Sequence, residues 1–318
     1  FIKPVHPEGD ELRFNWDAAI AQDPFNDCGL YYGSQFVHYS TDCGNSWEII
    51  SPDLTTNDSL KQLQHLSGGL TIDDTQAENH TTIIAIEPSP VDNQVIWVGT
   101  DDGHLQLTTD GGQSWTELSE ELPGFEAGSW IPQVFASTRN AGEAFVVVND
   151  YRRNNWDSYL YHTTDYGKKF QRLITNPDVD GYVQSFVQDP QVENLLFAGT
   201  DYGLYFSIDK GDTWTKWTNN YPSVPTRDLK IHPREHDLII GTFGRAFWVL
   251  DDIIPFRELA ESAGSVLDKP MHAFAAKHAY MVEGVRSVTG ARFIADAEYD
   301  ATNKSYMPSL RLWIHPDS

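Results

Sequence analysis

The sequence predicts an all-β chain built from repeated four-stranded antiparallel units, and three observations lead there. A pattern of eight residues, reading hydroxyl, any, Asp, any, Gly, any, any, aromatic, occurs four times. Short apolar runs separated by turn residues fill the intervals between its copies. Aromatic side chains are plentiful, with 10 Trp in 318 residues, as expected when each repeat carries its own hydrophobic anchor.

The clearest octet is Thr108-Thr109-Asp110-Gly111-Gly112-Gln113-Ser114-Trp115. The others run from Ser40 to Trp47 (with Asp42 and Gly44), from Thr163 to Phe170 (with Asp165 and Gly167) and from Ser207 to Trp214 (with Asp209 and Gly211). Each part has a physical task. The carboxylate accepts hydrogen bonds from backbone N–H groups of its own turn, the Gly takes positive φ, and the aromatic enters a core. A side chain committed to bracing its turn is a poor catalyst, so these four aspartates are read as structural.

On these octets the chain resembles the Asp-box (BNR-repeat) β-propellers, a group that includes sialidases, tandem-propeller glycoside hydrolases and sortilin-type receptors. The order of strands agrees. A first blade runs through Ala18–Ile20, Leu30–Ser34, Phe36–Tyr39, the first octet and Trp47–Ile50. A second runs from Thr82 to Leu118, a third from Gln133 to Phe170 and a fourth from Val183 to Trp214. A fifth, from Arg227 to Leu250, lacks the octet and reads Asp251-Asp252-Ile253-Ile254-Pro255 in its place. The recurring Gly-Thr-Asp-x-Gly marks the turn between second and third strands. About five blade equivalents are visible, spanning 1–258. The remainder, 259–318, reads as a short helix at Phe256–Ala263, a linker and a last strand at Ser309–Ile314, either closing the ring or opening a further β domain.

Several longer stretches resemble a narrower group, the C-terminal half of bacterial sortilin-like BNR-repeat exported proteins often labelled glycosyl hydrolases. They are Asn15-Trp16-Asp17, Tyr31-Tyr32-Gly33-Ser34, Ile50-Ser51-Pro52-Asp53-Leu54, Trp97–Gly103 and Gly244–Asp252. That resemblance implies a larger ring or pair of rings, with the remaining blades in the same or a longer chain, and a secreted, periplasmic or cell-surface bacterial location. The family's His before Gly-Arg is Phe243 here, which weakens any role for that position. The opening at Phe1, with no Met and no leader, reads as part of something longer.

Composition narrows the partners. Lys and Arg total 22 against 46 Asp and Glu, for a formal charge of −24. Nucleic acid and anionic lipid both need a basic footprint, so neither is expected. No run of ~18 apolar residues provides for membrane insertion. No Cys/His spacing suits a metal, and no motif implies a cofactor. The two cysteines, Cys28 and Cys43, flank a hairpin. A turn centred on Gln35/Phe36 would set them directly opposite and allow a disulfide, the alternative being two free thiols.

Successive octet aspartates lie 68, 55 and 44 residues apart, so the surplus falls in loops, chiefly Ser51–His80 and Asp150–Ser158. Binding concentrates in loops on a rigid scaffold. Trp130, Tyr151, Arg152 and Trp156 are therefore the candidate ligand contacts. Asp73, Asp74, Asp150 and Asp157 are the candidates for the carboxylate pair that glycoside hydrolysis needs. Arg152 and Arg153, adjacent in an extended run, would point apart, and Arg245 could join them only through the fold. The expected function is a non-catalytic module that recognises a protein, peptide or glycan. The alternatives are a glycoside hydrolase with paired loop carboxylates and a structural subunit of a cell-surface assembly.

Overall fold

The computed structural model describes residues 2–9, 11–63, 66, 79–278 and 309–317. Asp73 and Asp74 lie outside the described residues. The first blade comprises β1 (Ile20–Gln22), β2 (Leu30–Gly33), β3 (Val37–Ser40) and β4 (Glu48–Ile49), hydrogen-bonded in that order. The second is β5 (Ile83–Pro88), β6 (Ile96–Thr100), β7 (Leu105–Thr108) and β8 (Thr116–Glu117). The third is β9 (Trp130–Ala136), β10 (Ala144–Asp150), β11 (Asn155–Thr163) and β12 (Gln171–Ile174). The fourth is β13 (Val183–Gln188), β14 (Leu196–Thr200), β15 (Gly203–Ser207) and β16 (Thr215–Trp217). The fifth has three strands among the described residues, β17 (Thr226–Ile231), β18 (Leu238–Thr242) and β19 (Phe247–Leu250).

Every pairing is antiparallel, and the first strands pack in succession, β1 on β5, β5 on β9, β9 on β13 and β13 on β17. The blades therefore fan around a common axis with their first strands innermost. The core is divided among the junctions between blades. Tyr31 and Val37 meet Ile83, Ile96 and Val98 at the first. Trp97 and Leu105 meet Ile131, Val146 and Tyr161 at the second. Phe145 and Leu160 meet Phe186 and Leu196 at the third, and Phe197 and Leu204 meet Leu229 and Ile240 at the fourth. Burying one such side chain stabilises by about 1.5–3 kcal/mol. A strand covered on both faces reads as an unbroken apolar run, as β10 does in Ala144–Val148, all buried.

The octets close the turn between third and fourth strands. In the second blade the Asp110 carboxylate accepts the Ser114 backbone N–H at 2.8 Å and its hydroxyl at 2.6 Å. The Thr108 hydroxyl donates to Asp110 at 2.8 Å while accepting the Gly112 N–H at 3.0 Å. Asp42, Asp165 and Asp209 accept the equivalent backbone N–H at 2.9, 3.0 and 2.9 Å. The Ser46 hydroxyl, then its N–H, hold the Asp42 carboxyl down at about 2, so it stays ionised. Gly44, Gly112, Gly167 and Gly211 all have positive φ, and so do the residues before them, Cys43, Gly111, Tyr166 and Lys210. That second left-handed residue had no signature in the octet.

The aromatic of the octet reaches across to the preceding blade. Trp115 Nε1 donates to the Ile50 carbonyl at 3.3 Å and Trp214 Nε1 to the Leu173 carbonyl at 3.3 Å. A Cβ on Gly112 would come within 2.6 Å of that same Ile50 carbonyl oxygen.

Cys28 and Cys43 are joined by a disulfide, although the hairpin register differs from the expected one. Leu30 pairs with Ser40 and Tyr31 with Tyr39, which centres the turn on Gln35 alone and sets the cysteines one residue out of register. Left-handed Cys43, whose N–H donates to the Cys28 carbonyl at 2.9 Å, makes up the difference. The expected loop at Asp150–Ser158 is mostly strand: β10 and β11 extend through it and leave a single 3-10 turn at Tyr151–Arg153. Helix α1 (Ile254–Glu261) sets Phe256 against Phe197, Phe206 and Trp217 of the fourth blade. Beyond it, β20 (Met271–Ala273) pairs with β21 (Leu312–Ile314).

Candidate ligand-binding site

A four-stranded antiparallel meander places its first and third turns at one end of the sheet and its second turn, with the link to the next blade, at the other. All four octets therefore crowd one face of the ring, and the candidate binding residues lie on the opposite face. Trp130 opens β9, Asp150 closes β10, and Tyr151–Arg153 form the turn that left-handed Asn154 completes at φ 65.

The turn separates the two neighbouring arginines. Arg153 Nε donates to Asp150 Oδ1 at 2.6 Å, and its other nitrogens reach the Ala127 carbonyl at 2.8 Å and the Ser129 hydroxyl at 3.1 Å. Asp150 is thereby a buried structural anchor. Arg152 turns the other way and lies over Trp130, its guanidinium carbon 3.3 Å from the ring centroid, and 4.4 Å from that of Tyr151. Tyr151 stacks on Tyr182 at 4.6 Å, and Trp156 stands 5.9 Å from Tyr182 and 6.1 Å from Tyr151. Trp130, Arg152, Tyr151 and Trp156 thus form one continuous ladder, with Tyr182 as a rung that sequence reasoning missed.

The ladder joins two hollows. Its outer end borders a pocket of about 630 Å³ lined by Trp156, Asn176, Asp180 and Tyr202, with both aromatics half exposed. Asp157 accepts the Asn176 amide at 2.5 Å, and Asp180 pairs with Lys216 at 3.0 Å. The inner end opens on a cavity of about 740 Å³ along the axis, walled by the first strands of all five blades. Arg152, Arg227 and Lys230 line it, as do Asp17, Glu87 and Asp228. Burial pushes the Glu87 carboxyl up to about 7, against the pull of the Lys230 charge and the Ala136 N–H. Burial and the Arg227 charge both disfavour the charged form of Arg152, partly offset by Tyr151, Tyr182 and Asp17. Gln184, also at the wall, donates its amide to Asp201 at 3.2 Å and leaves its buried Oε1 without a partner among the described residues.

Arg245 is exposed in the β18–β19 turn and does not line the cavity; Arg227 is the arginine that joins Arg152 there. Glu87, which precedes Pro88, also lines the cavity. Among the described residues no group of three or more His, Cys, Asp or Glu could hold a metal, and no helix is long and apolar enough to cross a membrane.

Solved structures share this architecture. A GH74 enzyme from Niastella koreensis superposes with a TM-score of 0.54 and 16% identity, over 74% of this chain and 36% of that one. An ancestral GH74 enzyme gives 0.51 and 16% identity, over 77% and 32%. This chain is a β-propeller. The propeller spans about a third of the length of those structures. No family model matches it. In sequence it is 27% identical over 164 residues to a probable oligoxyloglucan-reducing end-specific xyloglucanase of Neosartorya fischeri, over 48% of the propeller and 19% of that protein.

Proposed function

We propose that this propeller is a recognition module whose ligand lies along the face that carries the second turns, from the axial cavity across Tyr151 and Trp156 to Tyr202. The observation that carries this reading is the continuous ladder from Trp130 to Trp156. Flat aromatic faces with interleaved donors and acceptors suit a ligand that is part apolar and part polar, and a concave site with a few convergent polar groups is the usual form of a binding pocket. The disulfide supports a place outside the reducing cytosol, in keeping with an exported protein.

Calorimetric titration against a panel of oligosaccharides and peptides tests the reading. Binding should weaken at least tenfold, or ~1.4 kcal/mol, in Trp156→Ala and in Tyr202→Ala. A ligand whose affinity ignores both changes would place recognition elsewhere.

A second reading, glycoside hydrolysis, has its own support in Glu87. Hydrolysis needs one carboxyl that stays protonated and one that stays ionised. Glu87 carries the raised carboxyl, and Asp17 and Asp228 line the same cavity. Reducing-end release that is lost in Glu87→Gln would favour this reading over recognition.

A further inference from the structure

We propose that the pocket beyond Trp156 takes a guanidinium group, the arginine side chain of a polypeptide partner, laid against the rings of Trp156 and Tyr202 and paired with Asp180. The inference rests on the recognition reading above and names the ligand class for the outer end of its site.

Charge is the first argument. Among the described residues that line the pocket, Asp180 alone is charged. Hydrogen bonds from Lys216 and Tyr205 hold its carboxyl below the usual carboxylate range, so it is ionised at neutral pH. Its side chain is 70% exposed, which makes the ion pair with Lys216 a surface pair, weak and open to exchange. A second carboxylate, Asp157, is bonded to Asn176 of the wall. The formal charge of −24 draws cations toward the molecule and holds anions off.

Hydrogen-bonding capacity then separates a cation from a neutral sugar. The donors of the wall are turned back into the protein. Trp156 Nε1 donates to Asn154 Oδ1 at 3.1 Å, the Ser158 hydroxyl to the Gly181 carbonyl at 2.7 Å, and the Ser158 N–H to Asn176 Oδ1 at 2.9 Å. The Asn176 amide in turn donates to Asp157. Sugar hydroxyls both donate and accept, whereas a guanidinium only donates and leaves no acceptor of its own unserved. Its planar fork can lie on an aromatic face and pair with a carboxylate at the same time, which a strongly hydrated ammonium does less well. The protein already uses that arrangement twice. Arg152 lies 3.3 Å from the Trp130 centroid and 4.4 Å from that of Tyr151, and Arg172 lies 4.1 Å from that of Tyr159. The ladder therefore carries a guanidinium at its inner end, and the half-exposed faces of Trp156 and Tyr202 offer an equivalent seat at its outer end.

A matched pair of peptides tests the proposal: an end-blocked alanine pentapeptide with arginine at its centre, and the same peptide with citrulline, which keeps the shape of arginine and loses its charge. Both are titrated by NMR at low and high salt. The arginine peptide should bind about tenfold more tightly, and the preference should shrink as salt rises. Asp180→Asn, at an exposed position where folding is not at stake, should erase the preference. Lys216→Gln removes the competing ammonium, so it should raise affinity for the arginine peptide by about threefold and leave that for the citrulline peptide unchanged. Trp156→Ala should weaken both peptides. Equal affinities in the native protein, or a preference that survives Asp180→Asn, would overturn the guanidinium site. A neutral oligosaccharide that binds more tightly and displaces the arginine peptide would overturn the ligand class while leaving recognition on this face standing. No binding of the arginine peptide would overturn this inference, and the wider panel with Trp156→Ala and Tyr202→Ala judges the recognition reading separately.

Discussion

Glu87 is a residue whose protonation the axial cavity alters. Its carboxyl rises from an ordinary 4.5 to about 7 because the cavity withholds solvent from the charged form. Between those two values the folded protein holds a proton that the unfolded chain has released. Stability therefore falls as pH rises through that window and levels off above it. Glu87→Gln removes the ionisable group. Urea denaturation at pH 5 and pH 8 should show the native protein losing on the order of 2 kcal/mol relative to the variant between the two conditions. Parallel profiles would mean that the carboxyl is better solvated than its surroundings indicate. The neighbouring arginines differ from each other for a reason equally local: one turn of 3-10 geometry sends Arg153 to a buried carboxylate and Arg152 to an aromatic face.

The octet turn is the element on which the blades depend. Gly112 combines φ 95 with contact against the Ile50 carbonyl of the preceding blade, so Gly112→Ala meets both a backbone penalty and a steric one. It should cost at least ~2 kcal/mol, read as a lowered midpoint in thermal or urea denaturation. Turns of this kind were legible in sequence because the hydrogen bonds of the Asp carboxylate and of the leading hydroxyl close within eight residues. Strand order was legible for a similar reason, since apolar runs and Gly-Thr-Asp-x-Gly turns recur in register. The cavity was much less so. Trp130, Tyr151, Arg152 and Trp156 could be picked out as exposed aromatics and a cation near a turn, but Tyr182, Arg227 and Glu87 come from three other strands or links and converge only when the blades fan about one axis. The hairpin of the cysteines shows the same limit at short range, because a shift of one residue in turn centre is invisible in composition and was made up by one left-handed residue.

Across the whole molecule the repeat allows a position to be compared with itself in two environments. Leu204 and Phe247 occupy the same place in their blades, each opposite the Gly of a Gly-Thr pair on the second strand. Leu204 is 0% exposed because the fifth blade covers it, whereas Phe247 is 82% exposed. Leu204→Ala should therefore cost about 3 kcal/mol and Phe247→Ala less than ~0.5 kcal/mol, compared by denaturation of the two variants. Similar losses at both positions would show that the last blade's outer face is covered in solution. Phe243 and Val249 extend this exposed apolar face, and α1 seals the outer edge of the junction before it.

The reach of Trp115 to Ile50 and of Trp214 to Leu173 gives the ring a direction. The second and fourth blades are each fastened in this way to the one before, like tiles laid with a single overlap. Peeling from the last blade undoes one fastening at a time. Loosening an early blade removes the seat from under its successor, so amide exchange at the outer strands should report the state of the neighbour upstream before that of the neighbour downstream.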